Sequence, residues 1–407
     1  MDFYISHPGL AFLVCVLLLD VISQLGGGVS YVLFWGQLRK VYGMRAATDG
    51  GAHHFPRVSV IIAAYNEQDV IEKTLSALLK NAYPELEVIV VDDGSTDDTF
   101  SILCALANHF KNVKIFRNKL NVGKCRSIEA GIEASSGQII CLIDADTVVC
   151  QEFVSEIIHP IVTGEAEATC GNIKVGNKTN ALTHFQSIEY ISILNRIRAI
   201  QDISGFITTM PGAACAFKRS VLASVGGYSS GSLAEDADFT IRLSLNNERI
   251  RFAPGAVAYT EVPSSWKSLL FQRRRWIFGN MQCIVEYMSE WQRRIKKPLY
   301  GFPFFFYENV GRPVFEFIRN VTIIVSIKYY GFILFILAMG FCINALRVAA
   351  FYMIEKEDLS EIVYLPARFV VWPLFNILPF ALATLHLLSG QGVSWNKLER
   401  SGDVAER

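Results

Sequence analysis

Charged side chains are scarce in this sequence. They make up 19% of its 407 residues, where a typical soluble domain carries about 25%. Hydrophobic residues reach 51%, and mean hydropathy is +0.31. This excludes a disordered or highly charged chain and points to a membrane protein with a sizeable soluble part. A surplus of either sign is also lacking, since 38 Lys and Arg stand against 38 Asp and Glu. A general nucleic-acid binder with a basic excess is thereby excluded. There is no Cys-x-x-Cys pair and no Cys/His spacing of a zinc site. The nine Cys, several inside apolar runs (Cys141, Cys215, Cys342), read as buried thiols in a reducing compartment. Phosphate-binding glycine loops of the GxGxxG or GxxxxGKS/T type are missing as well. That counts against a nicotinamide dehydrogenase and a P-loop ATPase. The diphosphate of any bound nucleotide must then be held by metal and side chains.

What the sequence does have is apolar length at both ends. Gly9 to Trp35 is apolar except for Asp20 and Gln24, long enough for one span. It is too long for a cleaved signal peptide, and no basic region precedes it. Arg39, Lys40 and Arg45 follow it, which puts the downstream side in the cytoplasm. Uncharged stretches from Tyr329 to Leu346 and from Phe369 to Ser389 read as two more spans. The acidic cluster between them (Glu355, Glu357, Asp358, Glu361) is expected outside. Residues 298–320 are rich in Phe yet carry Glu308, Arg312, Glu316 and Arg319 at helical spacing on one face. A helix lying in the interface fits them better than a span. The chain therefore divides into an amino-terminal span (1–40), a cytoplasmic catalytic domain (56–290), amphipathic interfacial helices (298–325), two spans (326–390) and a cytoplasmic tail (391–407).

Between residues 56 and 290, short β-branched runs alternate with helical patterns. Val58 to Ala63, Glu87 to Val91, Val113 to Phe116 and Gln138 to Ile143 read as strands. Helices are expected over Asp69 to Lys80, from Asp97, and over Cys125 to Ala134. This alternation predicts an α/β fold with a mostly parallel sheet flanked by helices. Such sheets bind ligands beyond the carboxyl ends of their strands. Tyr65-Asn66-Glu67 follows the first strand, Asp92-Asp93-Gly94-Ser95-Thr96-Asp97 the second, and Asp144-Ala145-Asp146 the fourth. Three acidic or polar turns thus share one sheet edge. Taken alone, the second is also a good turn with Ser95 or Thr96 as a helix N-cap. Asp144 and Asp146 lie two residues apart, so one or both can face the same hard cation, Mg²⁺ or Mn²⁺.

These residues, with Asn121-Val122-Gly123-Lys124, Glu235-Asp236 and Gln272-Arg273-Arg274-Arg275-Trp276, resemble the family 2 glycosyltransferases. By overall shape the chain looks like the membrane-embedded processive branch: poly-N-acetylglucosamine, hyaluronan and chitooligosaccharide synthases. Six motifs stand in the right order over residues 56–290. The resemblance implies a GT-A-like fold in the bacterial inner membrane. It implies inverting transfer of a sugar, favoured as N-acetylglucosamine, from a UDP-sugar to a growing extracellular polysaccharide. Transfer of one sugar to a polyprenyl-phosphate or other lipid acceptor is the alternative.

By the same resemblance Asp236 is the base, beside Glu235, and Asp144 and Asp146 hold Mg²⁺ or Mn²⁺ and the donor. Tyr65, Glu67, Asp92 or Asp93, and Lys124 match donor-binding positions. Gln272, Arg275 and Trp276 match the QxxRW motif, with Arg275 near the diphosphate and Trp276 under the acceptor sugar. Read without the family, Asp236 and Glu235 would cap a helix starting near Phe239. The Gln272 to Trp276 segment would be a basic membrane-surface helix with a Trp anchor. Arg273 and Arg274 carry two readings, one at the site and one facing lipid phosphates. Partners implied are membrane lipids and a small membrane subunit for regulation, with no nucleic acid. Asn344 and Asn376 could line a polar exit route, or be ordinary interhelical contacts.

Overall fold

The computed structural model describes residues 36–38, 40–43, 55–228, 232–294, 301–325, 330–393, 402 and 404. The expected amino-terminal span and Asp20 lie outside the described residues.

Val58–Ala64 (β1) is apolar on both faces and buried, as a central parallel strand must be. Ile71–Leu79 (α1) leads to Leu86–Asp92 (β2), and Thr99–Ala107 (α2) to Val113–Arg117 (β3). Lys124–Ala134 (α3) returns the chain to Ile139–Leu142 (β4). Thr147–Val149 (β5), Phe153–Val162 (α4), Ala168–Val175 (β6) and Ala181–Glu189 (α5) come next. A π-helical turn, Tyr190–Asn195, joins α5 to Arg196–Ser204 (α6). Cys215–Lys218 (β7), Val221–Val225 (α7), Glu235–Leu245 (α8) and Ile250–Thr260 (β8) complete the sheet region.

The eight strands run in the order β3-β2-β1-β4-β7-β6-β8-β5. Strands β1 to β4 pair in parallel, as expected. Strand β7 is antiparallel to both β4 and β6, and β5 is antiparallel to β8. The sheet is therefore mixed. Val58, Val60 and Ile62 join one core with Leu75 and Leu78 of α1. Ile61, on the other face, joins a second core with Ile128 and Ile132 of α3. In register, Ala64 lies opposite Asp92 and Val58 opposite Ile139. The turns after β1, β2 and β4 consequently open on one edge.

Trp266–Arg294 (α9) carries the segment from Gln272 to Trp276. Phe302–Phe306 (α10), a second π-helical turn at Tyr307–Gly311, and Arg312–Val325 (α11) follow. Arg312 reaches Glu308 at 2.9 Å and Glu316 at 3.1 Å, one turn away on either side. Tyr330–Glu355 (α12) and Leu365–Leu388 (α13) are the two long apolar helices. Leu337–Glu355 and Leu359–Leu388 are long and apolar enough to cross a membrane, and only 22% and 17% of their most apolar stretches are buried. Apolar side chains such as Leu374, Leu378, Leu385 and Leu388 face outward from α13. Cys141 and Cys215 are buried as expected, but Cys342 is exposed on α12, an apolar side chain on an apolar outer face.

The acidic cluster is not outside. Lys174 of β6 meets Glu355 at 3.1 Å and Glu357 at 2.8 Å. Lys178 pairs with Glu357 and, at 2.5 Å, with Glu361. Asn172 and Tyr42 also bond Glu355. Buried carboxylates need such partners, and the cationic ones come from the catalytic domain. A segment ion-paired to that domain lies on its side of any membrane. Beyond α13, Gly402 and Val404 rest on the same domain, against Lys73 and Ala77. Both ends of α13 are thus tied to the catalytic domain, so α13 is expected to enter a membrane without crossing it, and single cysteines placed at 358 and 403 are expected to label only from the catalytic side in sealed membranes. Labelling of 358 from the opposite side would sink this topology.

Candidate active site

The turn after β1 is built by reciprocal bonds with the turn after β2. Asn66, at φ 55°, accepts from the Thr96 amide at 2.8 Å, and its own amide donates to Ser95 Oγ at 2.8 Å. The Glu67 amide donates to Thr99 Oγ1 at 2.7 Å. This leaves Tyr65 and Glu67 half-buried at the edge.

Asp92 and Asp93 behave differently from their neighbours. Asp92 is fully buried, with Arg117 Nε at 3.1 Å from its Oδ2. Asp93 accepts from the Val122 and Gly123 amides, both at 2.9 Å, and from Asn118 at 2.8 Å. Its carboxylate therefore holds the loop that ends in Lys124. Gly123 adopts φ 95° there, a conformation that favours glycine.

Lys124 opens α3 and reaches across the edge. Its Nζ lies 2.7 Å from Asp144 Oδ1 and 3.3 Å from Glu235 Oε1. Burial alone would depress its pKa, but Asp144, Glu235 and Asp236 outweigh that and hold it above the usual lysine value. Asp146 is buried and accepts from Thr147 and Thr260 hydroxyls at 3.2 and 3.3 Å. Asp144 is the more open member of the pair. Among the described residues no group of three or more His, Cys, Asp or Glu side chains could hold a metal ion. The donor set present is two hard carboxylates. It fits a cation whose remaining ligands are diphosphate oxygens and water.

The helix expected near Phe239 starts at Glu235 itself. Glu235, Asp236 and Asp238 form the first turn of α8, where negative charge suits the helix dipole. The three acids divide by environment. Asp238 is buried between Arg242 Nε at 2.7 Å and the Tyr287 hydroxyl at 2.8 Å, which anchors α8 to α9. Among the described residues the Asp236 carboxylate accepts only the Ala237 amide, at 2.8 Å. Burial and the neighbouring Glu235 push its pKa up to about 6, against the pull of Lys124 and Arg275. That value suits a general base near neutral pH. Activity should therefore fall about tenfold per pH unit below about 6, as Asp236 takes up its proton. The stability contribution has the opposite sign. The raised pKa stabilises the fold below the ordinary carboxylate value and is lost as pH rises through about 6. A rate that stays flat down to pH 4.5 would remove Asp236 from the base role.

Helix α9 passes beside this turn because Gly279 has no side chain. A Cβ there would lie 2.5 Å from the Ala234 amide nitrogen. Arg273, left open by the sequence, is buried. It makes bonds of 2.6 and 3.3 Å to Glu189 and lies 4.7 Å over the Trp276 ring. Gln272 is buried too, while Arg275 and Trp276 are half-buried. Lys124, Asp144, Glu235, Asp236 and Arg275 thus share one electrostatic neighbourhood. Asp92 and Asp93 support it from beneath. Sequence reading missed Glu189, Asp238 and Tyr287. The visible signal for Glu189 was a lone carboxylate at the end of a largely buried helix, which needs a cationic partner.

The model for glycosyl transferase family 2 matches residues 59–226. The probable glycosyltransferase YdaM of Bacillus subtilis (strain 168) is 30% identical over 368 residues, which are 85% of this chain and 87% of that protein. The poly-beta-1,6-N-acetyl-D-glucosamine synthase of Staphylococcus epidermidis is 33% identical over 231 residues, 56% of this chain and 55% of that enzyme. The match thus spans about half the length of that synthase. Among solved structures, the mannosyltransferase PcManGT from Pyrobaculum calidifontis, in complex with GDP-Man and Mn2+, superposes with a TM-score of 0.60. It covers 93% of this chain and 100% of that one at 17% identity, a likeness of fold.

Proposed function

This chain belongs to glycosyl transferase family 2, and from that premise we propose that it transfers N-acetylglucosamine from a UDP-sugar to the growing end of a polysaccharide, processively and with inversion at the anomeric carbon. The observation that carries this reading is the placement of Asp236. Its carboxylate is raised toward neutrality and stands in the same charge cluster as Lys124 and Asp144.

Three jobs fall to the chain's own residues. Asp236 takes the proton of the attacking acceptor hydroxyl. Lys124 and Arg275 offer positive charge where the diphosphate leaves, Arg275 with a planar fork suited to two phosphate oxygens. Trp276 offers a flat apolar surface to the acceptor ring. Asp144 and Asp146 would hold Mg²⁺ or Mn²⁺, which supplies charge to the departing UDP. The Lys124–Asp144 contact would then open as the donor's diphosphate draws Lys124 toward itself.

The test is a donor screen in membranes by UDP release, followed by linkage analysis of the product. UDP-N-acetylglucosamine is expected to turn over, and EDTA to abolish release until Mg²⁺ or Mn²⁺ is restored. Undiminished release in EDTA would sink the metal assignment. Turnover of a different donor alone would sink the choice of sugar.

A further inference from the structure

A cavity of about 790 Å³ lies between α6, the segment from α10 to α11, and the long helices α12 and α13. Its charge is unbalanced, because five arginines and two glutamates line it. Arg312 is already paired with both glutamates, Glu308 and Glu316. Arg368, near the start of α13, is not matched in this way. It is 5% exposed, and its Nε donates to the Phe185 carbonyl at 3.0 Å. Its Nη2 is buried with no hydrogen-bond partner. Glu189 acts on it electrostatically, but both Glu189 oxygens bond Arg273. Trp372, one turn on and 5.2 Å beneath the guanidinium, also buries an unpartnered N–H. Both groups can only donate. A buried guanidinium without an anion is costly, so an acceptor carrying negative charge would complete the site.

Much of the remaining wall is apolar, with Ile193, Ile197, Ile200, Phe315 and Phe369 among its residues, interrupted by Gln201, Ser204, Asn344 and Asn376. None of Asp144, Asp236, Arg275 and Trp276 lines it, which argues against the end of an acceptor chain lying here. A largely apolar wall that carries arginines, between long apolar helices and beside a docked catalytic domain, matches a phospholipid headgroup with its first methylenes. We propose that this cavity binds one anionic phospholipid, its phosphate on Arg368 and Trp372. The site is separate from the donor site and couples the catalytic domain to the composition of the membrane. The inference rests on the reading of α12 and α13 as membrane helices.

The test uses the full chain purified in neutral detergent, stripped of lipid and offered phosphatidylglycerol or phosphatidylcholine. Native mass spectrometry counts the lipid retained. Wild type should prefer phosphatidylglycerol by about five-fold, roughly the effect of one basic side chain on an anionic surface. Arg368→Gln should erase the preference and Arg368→Lys restore part of it. Asn376→Trp, which fills the cavity and leaves Arg368 intact, should lower retention of phosphatidylglycerol. It carries the test if Arg368→Gln fails to fold. Equal retention of the two lipids by wild type, or a preference unchanged in the variants that fold, would overturn the proposal. So would full displacement of the lipid by millimolar inorganic phosphate, or shortened polymer with an unaltered lipid preference. Recovery of the chain in the soluble fraction without detergent would instead overturn the membrane reading, and the lipid site with it.

Discussion

Asp236→Asn is expected to remove sugar transfer by about 10²–10⁴-fold, the usual loss when a positioned base disappears. UDP affinity should stay near that of wild type. The reason is local. Among the described residues the Asp236 carboxylate accepts one hydrogen bond, from the Ala237 amide at 2.8 Å, and an asparagine oxygen can accept it equally well. The first turn of α8 is held independently by Asp238, through Arg242 and Tyr287. The amide therefore removes a proton acceptor and a charge without removing a structural bond. Glu235 is the contrasting control, because it contacts Lys124 at 3.3 Å. Its Gln variant should weaken donor binding as well as rate. The measurement is UDP release beside direct UDP binding for both variants. If Asp236→Asn kept more than a few per cent of the wild-type rate, the base would have to be sought elsewhere.

Trp276→Ala should abolish long product while UDP-sugar affinity and slow hydrolysis by water persist. Arg273 lies over the indole at 4.7 Å and is itself fixed by Glu189. This arrangement holds the ring in one orientation, and a pyranose would stack on the face that Arg273 leaves. Stacking of that kind stabilises the acceptor and contributes nothing to the nucleotide. The variant should therefore raise the apparent requirement for acceptor first. Glu189→Gln, which loosens Arg273 without touching Trp276, should shorten the product to a lesser degree. Product length on gels beside UDP release distinguishes the outcomes. Normal chain length in Trp276→Ala would return the segment to a plain packing role.

Periodicity and turn chemistry fixed the first half of the catalytic domain. The β-branched runs that became β1, β2 and β4 are buried on both faces, so their composition alone marks them as central strands, while β3 at the sheet edge is largely exposed. Because all four run in parallel, their following turns had to open on one edge. That is why the strand pattern alone brings Tyr65, Asp92, Asp144 and their neighbours to one edge. Charge spacing likewise put Glu308, Arg312 and Glu316 on one helical face, since that depends only on a helical repeat.

Tertiary structure decided the rest, and in each case the deciding contact joins residues far apart in the chain. Asp92 and Asp93 read as equals in sequence. Only the fold buries one completely and gives the other to the amides of Val122 and Gly123. The fold also gives Asp238, two residues from Asp236, to Tyr287 and Arg242, while burial and Glu235 raise the pKa of Asp236. The acidic cluster between the two apolar helices was expected outside because its segment has few basic residues, and Asp and Glu say little about side. Lys174 and Lys178, more than 170 residues away along the chain, supply it by ion pairing. Local sequence sets which backbone conformation and which buried face a segment adopts. It does not set which distant side chain will neutralise a buried charge, because that depends on how the strands and helices are stacked.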